Sequence, residues 1–205
     1  MPDPKSDASA VKVIGLAGSP RAGGNSEMLL DRFLQGAAEQ GAQIEKIRIA
    51  AAGVNPCRAC NFCSKQEGCV QNDSVPELME KILDADVICL ASPIFFYTVP
   101  SQTKALIDRS QYLWARKYVH KKEPPGRRKL GVFIGVGATR GEKLFEGVLL
   151  TVKYFFDVLN ADITGKLLFK SVDEAGAIAD VDGALESARR LGAETVRAAI
   201  DRAGE

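Results

Sequence analysis

The sequence predicts an α/β domain built on a doubly wound, five-stranded parallel sheet, with helices on both faces in three layers. Three observations lead there. Short β-branched apolar runs alternate along the chain with amphipathic helical stretches. One run, DVICLAS, is apolar nearly without interruption, as a parallel strand covered on both faces must be. No internal repeat or shift of composition divides the 205 residues, so one domain is expected from 11 to 205, behind a flexible polar tail at 1–10.

The elements follow in order. VKVIGLA (Val11 to Ala17) ends in Gly18-Ser19-Pro20, a strand followed by a breaker. NSEMLLDRFLQGAAEQ sets Met28, Leu29, Phe33 and Ala37 at helical spacing behind an Asn/Ser start signal. QIEKIRI (Gln43 to Ile49) is a second strand, polar enough to sit at a sheet edge. A cysteine-rich loop leads to the helix VPELMEKILDA. DVICLAS (Asp86 to Ser92) is the third strand, followed by a helix from about Ser101 to Tyr118. The prolines of HKKEPPGRRK exclude regular structure there. KLGVFIGV (Lys129 to Val136) is the fourth strand and GEKLFEGVLLTVKYFFDVLN a long helix. ADITGKLLFKS carries a fifth, shorter strand before the closing helix VDGALESARRLGAETVRAAIDRAG.

Composition narrows the function. With 46% hydrophobic and 26% charged residues and a net charge of +1, the chain has no global field to attract nucleic acid or an anionic membrane. No apolar run reaches membrane-spanning length, and the first ten residues lack a secretory signal, so a cytoplasmic protein with reduced thiols is expected.

In a doubly wound sheet, ligands bind beyond the carboxyl ends of the strands, near the point where strand order reverses. Three loops are therefore informative. GSPRAGGNSE lets backbone N–H groups approach an anion at a helix start, with Ser19, Asn25 and Ser26 as further donors and Arg21 as a cation; the alternative is an ordinary βα turn with an exposed arginine. It is neither a P-loop nor a G-x-G-x-x-G fingerprint. SPIFFYTVPSQ offers flat apolar walls to a planar heterocycle, although Phe95 and Phe96 would equally fill a core. GVGATRGEK is a second glycine-rich helix start.

Cys57, Cys60, Cys63 and Cys69 stand at spacing C-x2-C-x2-C-x5-C in one loop. In a reducing compartment this compact run suits an iron–sulfur cluster, with zinc or a plain structural loop as alternatives. Cys89 lies mid-strand and reads as core packing, and the lone His120 reads as solvated.

Together GSPRAGGNS, PCRACNFC with its later GC, SPIFFYTVPSQTKALIDR and GATRGEKLFEG resemble the NADPH-dependent FMN reductase family, and more closely its iron–sulfur flavoprotein branch. The resemblance covers nearly the whole chain beyond the tail. It implies a flavodoxin-like fold, non-covalent FMN, NAD(P)H as co-substrate, and a homodimer or homotetramer whose contacts help to shape each flavin site. Position by position, it implies that Ser19, Arg21, Asn25 and Ser26 grip the FMN phosphate. Pro93, Ile94, Phe95 and Phe96 would form the wall and edge contacts of the isoalloxazine ring. Gly137, Ala138, Thr139 and Arg140 would close over the flavin from the other side. The iron–sulfur branch implies a [4Fe-4S] cluster on Cys57, Cys60, Cys63 and Cys69, whereas the wider family has a cysteine loop without one. The basic segment KYVHKKEPPGRRK is not settled by the family pattern; it is read as a solvated loop or as charge for an NADPH phosphate.

The expectation is an FMN-dependent NAD(P)H oxidoreductase passing electrons from a nicotinamide donor through FMN to a quinone, a flavin or an iron–sulfur partner. No acid or base residue is nominated, because such chemistry belongs to the cofactor. The rival reading is a non-enzymatic electron carrier or redox-sensing flavodoxin-like module, against which the near-neutral charge argues.

Overall fold

The computed structural model describes residues 10–124 and 127–203. The tail expected at 1–10 lies outside the described residues apart from Ala10. Strands β1 (Lys12–Ala17), β2 (Gln43–Arg48), β3 (Val87–Pro93), β4 (Lys129–Val136) and β5 (Ala161–Phe169) form one sheet in the order β2-β1-β3-β4-β5, with every pairing parallel. This is the flavodoxin-like order, which reverses between β1 and β3.

The burial of each strand follows its place. Central β3 and β4 are buried almost throughout, and β2 at the edge is largely exposed. On β3 the pleat sends Val87, Cys89 and Ala91 to one face and Ile88 and Leu90 to the other. The first face is covered by α1 (Asn25–Ala38) and, late in the chain, α7 (Ala184–Ala203). The second carries the short α2 (Phe62–Lys65) near its rim, then α3 (Val75–Asp84), α4 (Ser101–Arg109), α5 (Gln111–Trp114) and α6 (Glu146–Val158). The third layer expected from the sequence is present.

Helices α1 and α7 cross at two glycines. A Cβ on Gly36 would stand 1.8 Å from the Arg189 carbonyl oxygen, and one on Gly192 would stand 2.0 Å from that of Phe33. Only hydrogen fits there, so these glycines set the helix spacing.

Three elements differ from expectation. The helix foreseen from Ser101 to Tyr118 breaks at Ser110, whose hydroxyl donates to the Ile107 carbonyl at 2.6 Å. It resumes as α5 and ends in a wide π-type turn, Ala115–Val119. Helix α6 begins at Glu146 rather than near Gly141, because Lys170 Nζ donates to the carbonyls of Gly141 and Glu142 and holds them in a turn. Strand β5, expected to be short, runs for 9 residues and takes up a register shift against Gly131/Val132. Among the described residues, no helix is long and apolar enough to cross a membrane.

Candidate functional site

The loops after β1, β3 and β4 converge on one cavity of about 180 Å³. The first is held from beneath. Gly18 N–H donates to the Ala91 carbonyl at 2.7 Å, and the buried Thr103 hydroxyl of α4 donates to the Gly18 carbonyl at 2.8 Å. A Cβ on Gly18 would meet Thr103 Oγ1 at 2.9 Å and Ala91 O at 3.0 Å, so the position requires glycine. Helix α1 then starts without a side-chain cap, leaving its first-turn N–H groups directed toward the cavity end. Buried Glu27 steadies this loop. Its carboxylate accepts from Gly23 N–H at 2.9 Å and pairs with Lys46 at 3.1 Å. Burial would raise its pKa, but the Gly23 N–H, Lys46 and Arg48 outweigh that and hold it below the ordinary glutamate value.

The aromatic loop is a tight hairpin. Phe95 and Thr98 exchange backbone hydrogen bonds at 2.9 and 3.0 Å, and both central residues are left-handed, Phe96 at φ 48 and Tyr97 at φ 64. A two-residue turn with both centres at positive φ favours Asn-Gly; bulky aromatics there cost about 1–2 kcal/mol each. Their arrangement turns Phe96 entirely outward, 100% exposed.

A second cavity, of about 320 Å³, is lined by Cys57, Cys60, Cys63 and Cys69 together with Arg109 and Tyr112. Ala59 and Asn61, on either side of Cys60, are left-handed at φ 51 and φ 58, a shape that local preference does not supply. The loop is closed at its neck by a buried ion pair. Both ends of the Arg109 guanidinium face the Asp73 carboxylate, and NH1 also donates to the Asn55 carbonyl at 3.1 Å. Asp73 in turn accepts from the N–H groups of Asn55 and Val75, each at 3.2 Å, so one carboxylate ties the entry of the loop to its exit. Burial would raise the Asp73 carboxyl; these hydrogen bonds hold it below its usual value. Burial, with Cys57, Cys69 and Cys60 close by, pushes the Cys63 thiol up. Among the described residues no three His, Cys, Asp or Glu side chains converge as the ligands of one ion would. The four cysteines instead line one shared cavity.

The sequence profile of the NADPH-dependent FMN reductase family matches residues 11–165. The chain belongs to that family. Its relatives include iron-sulfur flavoproteins from Methanocaldococcus jannaschii, 39% identical over 63% of this chain and 64% of the relative, and from Methanosarcina thermophila, 36% identical over 63% and 65%. One from Archaeoglobus fulgidus is 32% identical over 74% of this chain and 73% of its own. For the first two, the match therefore spans slightly under two thirds of the relative's length. Among solved structures, an NAD(P)H:quinone oxidoreductase from Methanothermobacter marburgensis superposes with a TM-score of 0.61 at 19% identity, covering 91% of this chain and 97% of that one. A flavodoxin from the domain Archaea gives 0.56 at 14% identity, covering 92% and 99%. At such identities these two show the fold alone.

For this FMN reductase family member, the first cavity brings together Ser19, Arg21, Asn25, Ser26, Pro93, Ile94, Phe95 and Ala138 from the residues expected at the flavin. Phe96, Gly137, Thr139 and Arg140 do not line it. Phe96 is turned out by the hairpin, and Gly137 lies beneath, its N–H bonded to the Phe169 carbonyl at 2.8 Å. Thr139 and Arg140 lie exposed beyond the rim. Asn25 lines the wall, but its side chain is already engaged. Its amide donates to the Glu174 carbonyl at 2.8 Å and its Oδ1 accepts from Ile178 N–H at 3.3 Å. This draws the segment after β5 to the site, so that Val172 and Asp173 line the cavity as well. The rule that ligands gather at carboxyl strand ends covers β5 equally and would have found them.

The described part of the basic segment is largely exposed, yet several of its side chains are engaged. His120 Nε2 lies 2.8 Å from the Cys63 carbonyl, Lys122 pairs with Glu67 at 2.9 Å, and Lys117 pairs with Asp157 at 2.6 Å. Arg127 and Arg128 pair with Asp86 and Asp162. These contacts brace the cysteine loop and the sheet from an exposed surface, and His120, expected to be solvated, is partly buried with one ring nitrogen engaged. Tyr112 joins the cysteine cavity, while Tyr118 leans on Trp114 and donates to Asp157 at 2.6 Å. Cys89 is fully buried in the core, as its sequence context implied.

Proposed function

We propose that the chain is an FMN-dependent NAD(P)H oxidoreductase that passes electrons from a nicotinamide donor to a quinone, flavin or protein acceptor, with a [4Fe-4S] cluster on Cys57, Cys60, Cys63 and Cys69 as the one-electron port. The observation that carries this reading is the two-ended role of α4. Thr103 near its start holds the phosphate loop, and Arg109 at its end holds the cysteine loop. Six residues of helix rise about 9 Å, so the two cavities are tied to one short rigid rod.

When bound, FMN accepts hydride and releases electrons singly or in pairs, and a cluster moves them singly. The chain's residues bind, orient and shield. The uncapped start of α1 with Ser19 and Ser26 offers donors to a phosphate. Arg21 is exposed at the rim, and its guanidinium has no ion-pair partner among the described residues, so it is free to pair with the same group. Pro93, Ile94 and Phe95 provide an apolar wall that excludes water from one side of a ring. The four thiols of one cavity fit the donor set of a four-iron cluster.

A second copy of the chain fits the outward aromatics. Phe96, Tyr97, Leu150 and Tyr154 are exposed large side chains on the hairpin and α6, and Gly147 lets the Tyr97 backbone lie close on α6. This supports a homodimer or homotetramer that covers the flavin loop, and the compartment that goes with this reading is a reducing cytoplasm.

The test is anaerobic reconstitution followed by steady-state NAD(P)H oxidation with ferricyanide, quinone or free flavin. Expected are FMN-dependent turnover and about four irons with four sulfides per chain. Bound FMN without turnover for any acceptor would favour the carrier or sensor reading, and iron below one per chain would remove the cluster.

A further inference from the structure

Arg109 holds a buried donor, Nε, that no well-formed hydrogen bond satisfies, while its guanidinium lies within reach of the Cys69 side chain. Its side chain is wholly buried, NH1 and NH2 are taken by Asp73 and the Asn55 carbonyl, and Nε has no hydrogen-bond partner. A buried N–H without an acceptor is costly, and such a group is ordinarily satisfied. Arg109 lines the same cavity as the four cysteines, and the Cys69 side chain stands close enough to hydrogen-bond its guanidinium. The donor therefore belongs to whatever anionic sulfur group the cavity takes.

We propose that Arg109 is the positioning residue of the cysteine site: its Nε–H is the hydrogen-bond donor to the sulfur at or beside Cys69, and it raises the reduction potential of the cluster held there. This rests on the cluster reading above. Donors and positive charge near cluster sulfurs favour the state carrying the extra electron. Asp73 opposes that effect. It anchors the guanidinium and partly cancels its charge, so the pair presents its positive end to the sulfurs and its negative end to the loop neck. One ion pair thus joins the folding of the loop to the electron affinity of its contents.

The two partners must act with opposite sign, and a plain clamp would not. The whole chain, with FMN bound, is reconstituted anaerobically with ferrous iron and sulfide. Cluster and flavin are then titrated together, by electron paramagnetic resonance and visible absorbance. Arg109→Lys keeps a cation for Asp73 but removes the Nε–H, and the cluster potential is expected to move to more negative values. Asp73→Asn removes the opposing charge, and the potential is expected to move to less negative values. The flavin potential is expected to stay in place in both, as an internal control. Potentials that stay unchanged, or that move together in one direction, would overturn the proposal in favour of a clamp. So would variants that keep FMN but take up no iron. A wild-type chain that takes up no iron would overturn the cluster reading and this proposal together, a result distinct from the others.

Discussion

Thr103 and Arg109 stand about two turns apart on α4, both buried, the first donating to Gly18 in the loop after β1 and the second paired with Asp73 at the neck of the cysteine loop. Neither lines the first cavity; Thr103 fixes the loop after β1 and Arg109 fixes the cysteine loop. Thr103→Val keeps the shape of the side chain and removes only the hydroxyl. Its loss leaves the Gly18 carbonyl without that donor, and FMN affinity is expected to fall about tenfold, equivalent to about 1.4 kcal/mol. Quenching of FMN fluorescence on binding measures it; an unchanged affinity would show that the loop holds its form without α4.

Glu27 gives a pH signature. Its folded pKa lies below the ordinary glutamate value, so its stabilisation is present at neutral pH and down to about 4.3, and is lost as pH falls through the folded value. Glu27→Gln removes the charge at every pH. The gap in unfolding free energy between wild type and Glu27→Gln is expected to be about 1–3 kcal/mol and flat from pH 8 to 5. Below about pH 4 it is expected to close. Urea unfolding at several pH values measures it, and a gap that widens on acidification would contradict the assignment.

Much of this was legible in the sequence, for definite reasons. β-Branched runs such as KLGVFIGV fix strands because they suit a surface buried on both sides, and the GSPRAGGNS turn marks the passage from β1 to α1 because its proline and glycines break the strand. The ends of the long helices were not legible. Ser110 and Lys170 interrupt or delay helices through contacts with groups that neither pattern nor propensity marks. Arg109 and Asp73 were invisible for the same reason. Each is an ordinary charge in its own segment, and the bond between them spans 36 positions. Phe96 misled because an aromatic after an apolar strand suggests a wall, whereas the left-handed hairpin turns it out.

That hairpin yields a separate expectation. Replacing Phe96 and Tyr97 together by Asn and Gly supplies the residues such a turn favours. The double change Phe96→Asn with Tyr97→Gly is expected to raise stability by about 1–2 kcal/mol and to weaken self-association, since the exposed aromatic surface is lost. Thermal unfolding and sedimentation measure the two effects. Lower stability would show that Tyr97 contributes more through its packing on α6 than the turn costs.

The crossing of α1 and α7 tolerates no side chain at Gly36. Gly36→Ala is expected to destabilise the fold by about 1–3 kcal/mol or more, despite alanine's higher helix propensity, because its Cβ would overlap the Arg189 carbonyl. A surface glycine with open space, Gly41, provides the contrast, where any loss comes only from its positive φ of 81.

The central claim is that the loop from Gly18 to Ser26 and the start of α1 hold the phosphate of a flavin mononucleotide. Equilibrium titration of the apo chain with FMN and, in parallel, with riboflavin tests it most directly, because the two ligands differ only in that phosphate. One FMN per chain, bound far more tightly than riboflavin, with the advantage reduced by Arg21→Ala, is the result this structure requires. Equal affinity for the two, or binding of neither, would contradict it.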